Sequence, residues 1–383
     1  MKRTWVITNA LFGLWLFLPL IQRVVPVFPR IVLTGVEKAP KKPEATWSAW
    51  FNGSYAEQYE KRYAARLSLR PHLVRTDNEL SYRVFGQIPA RHGTRVVLGR
   101  SGWLYEGAYI DQHNRPKPFS GEKLNRRVAE ARSLQDRLLE HGIGCLIVLV
   151  PSKVTIYPEF LPAGALTRPI GEPGAYERVV PALEAAKVRF LDVRKLFLQW
   201  KEDSEFPLFP RTGTHWSYAA ATRVAGEIFR ELGEQTGKAF PEVVLTGLER
   251  GGDPYREEND LGDLLNLWSW RRFAGPQIQP IISVRQPSGR PLPRLLFVGD
   301  SFAHTLNRLL DRHHAVARQD LLYYYQRRFS YPGEKQEPID PNTFPLRQEL
   351  LACDAVILVI NEHWLPDIGF GFLAPAAHAL EAP

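Results

Sequence analysis

The chain has 383 residues, 44% hydrophobic and 23% charged, and its 49 Lys and Arg against 41 Asp and Glu leave a net charge of +8. This composition excludes a disordered tail, a small disulfide-stapled module and a polytopic membrane protein, and the length allows one large domain or two ordinary ones. The charge is modest for the size and forms no long basic tract, so no nucleic-acid partner is expected.

MKRT precedes an apolar run from Trp5 to Ile21, which Val24 to Phe28 extends past Gln22 and Arg23. Without an Ala-x-Ala-like cleavage site the run reads as an uncleaved signal anchor over residues 1–35, a cleaved signal peptide being the alternative. Lys2 and Arg3 then stay inside and the rest of the chain lies outside the cytoplasmic membrane. Residues 36–46, VEKAPKKPEAT, read as a polar linker.

From Trp47 to Gly86 the sequence is aromatic and charged, with Tyr55, Tyr59 and Tyr63 on one helical stripe. RVVLGRSGWLYEG, 95–107, predicts a hairpin whose Trp103 and Tyr105 either pack or form sugar platforms. Residues 120–142 predict an amphipathic helix ending on Gly142. CLIVLVPSKVTIYP then reads as a strand covered on both faces. Lys153 follows that strand, as a loop lysine, a contact for an anionic sugar or a group closing the catalytic pocket. Glu177–Lys187 predicts a helix, VRFLDVRKLF a strand and short helix, and Tyr218–Leu232 a longer helix. Leu295–Val298 reads as a strand, Ala303–Leu310 as a helix and Ala355–Ile360 as the last strand, with Tyr323, Tyr324 and Tyr325 in a strand-like stripe.

This alternation predicts an α/β fold with an open, mostly parallel sheet, helices on both faces, and an insertion around 233–290. Ligands in such folds gather beyond the carboxyl ends of the strands, here 149–153, 299–302 and 359–364. Cys145 and Cys353 sit in or near apolar strands and read as inert core thiols. With no CxxC, metal-ligand spacing or GxGxxG, neither a metal nor a cofactor is expected.

In PRLLFVGDSFAHTL, 293–306, a strand runs into Gly299 and Asp300 and places Ser301 in the first turn of a helix. Helix N-terminal amides stabilise a developing oxyanion there, although a plain N-cap is the competing reading. His215 precedes a second helix in FPRTGTHWSYAAATRVAGEIF and has the chemistry of a general base for a serine hydroxyl. Only the fold can bring the two together. Asp300, Asp263 and Glu362 are candidates for orienting groups, His304 for an alternative base, and Lys153, Trp103, Tyr105 and Tyr324 for substrate contacts.

The order GRSGWLY, LVPSKVTIYPEFLP, THWS, GDSF resembles the SGNH-hydrolase-like exopolysaccharide O-acetyltransferases, the alginate O-acetylation family of AlgJ and AlgX, across most of residues 50–365. The resemblance implies an SGNH-like periplasmic domain over 47–383, tethered to a bacterial inner membrane. It implies that Ser301 is acetylated with His215 as base and then esterifies a polysaccharide hydroxyl. It further implies a membrane-bound O-acyltransferase partner as the acetyl donor system. One position departs: the family reads Asp-x-His-Trp where this chain reads Gly213-Thr214-His215-Trp216. Loss of the aspartate of a serine triad costs about 10⁴ in turnover. Another group therefore orients His215, or a slow Ser-His dyad operates, or the protein is a catalytically degenerate polysaccharide-binding or assembly protein. A carbohydrate acetylesterase is the third functional reading.

Overall fold

The computed structural model describes residues 2–35, 39–88, 95–116, 119–168 and 174–381. The front of the expected linker, 36–38, lies outside them. Strands follow in the order β1 (Val96–Leu98), β2 (Leu104–Glu106), β3 (Gly144–Val150), β4 (Phe190–Asp192), β5 (Glu242–Arg250), β6 (Ile278–Arg285), β7 (Arg294–Gly299), β8 (Arg318–Tyr323), β9 (Arg327–Tyr331), β10 (Lys335–Pro338) and β11 (Ala355–Asn361).

Every residue of β3 and of β11 is buried, as their unbroken apolar runs require. Successive side chains on a strand point to opposite faces. Leu146, Val148, Phe297, Ile357 and Val359 accordingly pack on one side, with the Tyr218–Thr236 and Phe302–Arg312 helices. Cys145, Ile147, Leu149, Val298, Leu358 and Ile360 pack on the other, with the Gly121–Glu140 and Leu373–Ala379 helices. The sheet has the order β10-β9-β8-β7-β11-β3-β4, parallel from β8 to β4 and antiparallel at β9 and β10. The α/β expectation holds. The antiparallel extension was not foreseen, because β9 and β10 are charged, and the stripe at Tyr323–Tyr325 breaks where Tyr324 and Tyr325 turn with positive φ.

β1 and β2 pair as the short ribbon expected at 95–107. In the insertion, β5 and β6 form a two-stranded antiparallel ribbon. The connection between them passes through Arg256–Glu258 and the short helix Asp260–Leu264.

The chain divides into two compact units, Met1–Val96 with Gly262–Arg271, and Val97–Leu261 with Arg272–Pro383. Asn78 donates to the Leu265 carbonyl, and Glu79 accepts the Ser269 amide, so the 262–271 stretch is tied to the Arg70–Phe85 helix. The same unit contains the Lys2–Val24 helix, whose Thr4–Val24 stretch, at a mean hydropathy of 1.7, is long and apolar enough to cross a membrane.

Leu358 lies at the centre of β11 with no exposed surface. Leu358→Ala is expected to lower unfolding stability by about 2–5 kcal/mol through lost burial and a residual cavity, read from the shift in denaturation midpoint at constant m-value.

Candidate active site

β7 ends in Gly299, whose missing side chain lets the strand approach β11. A Cβ there would sit 2.6 Å from the Val359 carbonyl oxygen. Asp300 follows and is buried; its two oxygens accept the Phe302 amide at 3.0 Å and the Asn361 amide at 2.7 Å. The carboxylate thus ties the turn after β7 to the end of β11. Burial pushes its pKa up to about 6 against those two amides and the nearby charge of His215. Ser301 comes next, half-buried, at the N-cap of the Phe302–Arg312 helix.

His215 leads into the Tyr218–Thr236 helix, which Ser217 caps by accepting the Ala220 amide. Trp216 is fully buried against Phe302 and Phe197. The imidazole lies 4.8 Å, centroid to centroid, from the ring of Phe302, the residue after Ser301. Its Nδ1 is 2.7 Å from an oxygen of Asp260. A carboxylate only accepts, so Nδ1 donates to it, and in the neutral form of the ring Nε2 is the acceptor. Nε2 is buried without a hydrogen-bond partner among the described residues.

The carboxylate in contact with His215 is that of Asp260, which was not among the three candidates. Asp300 is spent on backbone amides, and Glu362 accepts the Ser152 amide and the Thr155 hydroxyl. Asp263 groups with the other unit, where its carbonyl accepts the Asn266 amide. In the stretch DLGDLLNL, which starts at Asp260, the sequence points to the second aspartate, Asp263, but it is the first that meets His215. The available signal was Asn259-Asp260 before an apolar run, a pattern typical of helix starts. Glu106 was also missed; it accepts the Thr214 hydroxyl, and burial raises its pKa.

Lys153 is 4% exposed, so it is neither a loop lysine nor a substrate contact. Its Nζ meets the carbonyls of Leu104 at 2.8 Å, Arg211 at 3.0 Å, Gly213 at 2.8 Å and Pro210, under the ring faces of Trp103 and Tyr105. Burial pushes its pKa well below the ordinary lysine range. Trp103 stacks on Phe160 at 4.4 Å, and Tyr105 donates its hydroxyl to the Tyr157 carbonyl. Both are buried and neither is a sugar platform. Tyr324 is half-buried beside the turn, its amide on the Gly299 carbonyl and its ring against Trp364 and Phe370. His304 has its Nδ1 at 3.2 Å from the Tyr331 hydroxyl, and burial pushes its pKa down to about 4. Over the ends of β3 and β11 lies a cleft lined by Tyr109, Ser152, Thr155, Tyr176, Glu362 and His363.

The family model described as SGNH hydrolase-like domain, acetyltransferase AlgX, matches residues 96–312, more than half of the chain. A "Probable alginate O-acetylase AlgJ" of Pseudomonas aeruginosa is 28% identical over 183 residues, 48% of this chain and 44% of that protein. Its namesake from Pseudomonas putida is 26% identical over 219 residues, 56% of this chain and 52% of that protein. The matches thus span about half the length of these relatives. Among solved structures, the O-acetyltransferase domain of Pseudomonas putida AlgJ superposes with a TM-score of 0.48 at 20% identity, over 75% of this chain and 100% of that one.

Two outcomes are expected. Lys153→Met takes the lysine donor from the Leu104, Pro210 and Gly213 carbonyls and leaves the Arg211 carbonyl only the Leu104 amide, and should cost at least about 2 kcal/mol in stability, read by chemical denaturation. Glu258 is buried, holds the Tyr218 amide at 2.7 Å, and is pushed by burial from 4.5 up to about 7. The native state therefore binds this proton more tightly than the unfolded chain. Its contribution is full below pH 4.5 and is lost as pH rises toward 7. Glu258→Gln keeps an acceptor for Tyr218 and removes the ionisation, so the variant's Tm should fall less than that of the wild type across this window.

Proposed function

Because the chain belongs to the SGNH hydrolase-like AlgX acetyltransferase family, we propose that it is an O-acetyltransferase acting on a secreted or cell-surface polysaccharide through an acetyl-serine at position 301. The observation that carries this reading is the environment of His215: Nδ1 is held by a carboxylate, Nε2 is buried without a partner among the described residues, and the ring lies against that of Phe302, the residue after Ser301. In the first half-reaction the Ser301 hydroxyl gives its proton to Nε2 while Oγ forms a bond to the acetyl carbonyl carbon. The donor's leaving group departs as it takes that proton from the imidazolium. In the second, a sugar hydroxyl attacks the acetyl-serine with His215 taking its proton, and Ser301 regains a proton as the ester leaves on the polymer. The position of Ser301 at a helix N-terminus supports stabilisation of both tetrahedral oxyanions.

The polar and aromatic cleft over β3 and β11 suits an acceptor sugar whose presence excludes water. The Thr4–Val24 helix supports an anchor in the inner membrane with the α/β unit in the periplasm, and a membrane-bound O-acyltransferase is the proposed acetyl source. Alginate, named for the curated relatives, is the first polymer to try as acceptor. Against the alternative of a catalytically degenerate binder, which rests on Gly213, the contact of Asp260 with His215 supports the active reading.

Intact-mass measurement of the detergent-solubilised full chain with 4-nitrophenyl acetate tests the proposal. A mass increase of one acetyl group, or turnover, is expected in the wild type and is expected to be absent from Ser301→Ala and His215→Ala. Equal labelling of all three would overturn it.

A further inference from the structure

We infer that Asp260 is the positioning residue for His215, and that Gly213 is the other half of the same exchange: the loop that delivers this carboxylate occupies the space a side chain at 213 would need. The inference rests on the reading of Ser301 and His215 as an acyl-transfer pair, and it explains how that pair works with glycine at the family's aspartate position.

Asp260 is held as rigidly as a triad acid has to be. One oxygen meets Nδ1 of His215 at 2.7 Å, and the other accepts the Thr214 and Leu261 amides, each at 2.8 Å. The Thr214 bond matters most, since it joins the carboxylate to the residue adjoining the histidine it steers. Around it, the 257–261 segment is laced to 212–214. Leu261 donates its amide to the Thr212 carbonyl at 3.0 Å, and the Thr212 hydroxyl donates to the Glu258 carbonyl at 3.1 Å. Two backbones in such contact leave no room between them. A Cβ on Gly213 would sit 2.6 Å from the Glu257 oxygen and 2.8 Å from the Glu258 carbonyl carbon and oxygen, all main-chain atoms. These are distances that real Cβ atoms do not reach, and no rotamer change relieves a main-chain clash. A carboxylate can therefore be supplied from 213 or from this loop at 260, but not from both.

The delivering loop is pinned to both helices that carry the reacting groups. Glu258 accepts the Tyr218 amide at the start of the His215 helix, Tyr218 stacks on Tyr255 at 3.8 Å, and Glu257 pairs with Arg308 on the Ser301 helix. The β5–β6 insertion thus becomes part of the catalytic apparatus, because its connection fixes the angle of the imidazole relative to the Ser301 turn.

Four forms of the full chain decide the matter: wild type, Asp260→Asn, Gly213→Ala, and the double variant Gly213→Asp with Asp260→Asn. Asn at 260 keeps an oxygen for the Thr214 and Leu261 amides but offers Nδ1 no carboxylate. Its kcat with 4-nitrophenyl acetate is expected to fall by about 10²–10⁴ at unchanged KM and Tm. Gly213→Ala should lose kcat to a similar extent by displacing the loop, and the double variant should not recover it. Wild-type-like kcat in Asp260→Asn would mean that Asp260 only caps its loop, and recovery in the double variant would refute the steric exclusion. Either result overturns the inference. A proton NMR readout separates this from failure of the enzyme reading. The downfield Nδ1 proton of His215 bonded to a carboxylate should be present in the wild type and lost in Asp260→Asn, whether or not the wild type turns over ester. Its persistence in Asp260→Asn would also overturn the inference.

Discussion

Main-chain carbonyls taken out of water need donors, and in the irregular passage from Pro210 to Gly213 main-chain amides reach those of Arg211 and Thr212 but not those of Pro210 and Gly213, which turn to Lys153. Lys153 answers that requirement from the start of the short helix Lys153–Ile156 that follows β3, spreading the three protons of one ammonium over four carbonyl oxygens. The direction of His215 follows from this clamp, because the residues immediately before the histidine are fixed on one side by Lys153 and on the other by the Asp260 loop. Desolvation works against the lysine's charge, and the convergence of carbonyls and aromatic faces is what makes the buried position tenable.

The sheet contributes a different kind of rigidity. Parallel strands β7, β11 and β3 end beside one another, so the turn carrying Ser301 and the end of β11 can be bridged by a single side chain, Asp300. Such a carboxylate is a structural brace, and its raised pKa reflects burial. The two aspartates near His215 thus divide the work. Asp300 holds the Ser301 turn to the sheet, and Asp260 holds the imidazole. Glycines at 299 and 213 serve the same geometric end at two places, each allowing one main chain to pass close to another.

Much of this was legible without coordinates. The apolar runs of β3 and β11, the amphipathic helices, and the prominence of Ser301 and His215 follow from local pattern, since burial on both faces of a strand and the start of a helix leave marks in consecutive residues. Less was legible where residue type misleads. Lys153 admits a surface reading because lysine usually is exposed, and Trp103 and Tyr105 suit either packing or a sugar platform; all three are buried, so for the two aromatics the packing reading is the one that holds. The charged β9 and β10 gave no alternating apolar signal at all.

By itself the sequence determined the α/β architecture, the apolar N-terminal helix, and the residue types available for acyl transfer, because each depends on side chains within a few positions of one another. Only the tertiary structure decided which carboxylate faces His215. Asp260 and Asp263 lie one helical turn apart in the same short motif, and no local rule distinguishes them. The choice is made beside His215, 45 residues away from Asp260 along the chain, where Gly213 admits the loop, and close packing of two main chains leaves no trace in the local pattern of either segment.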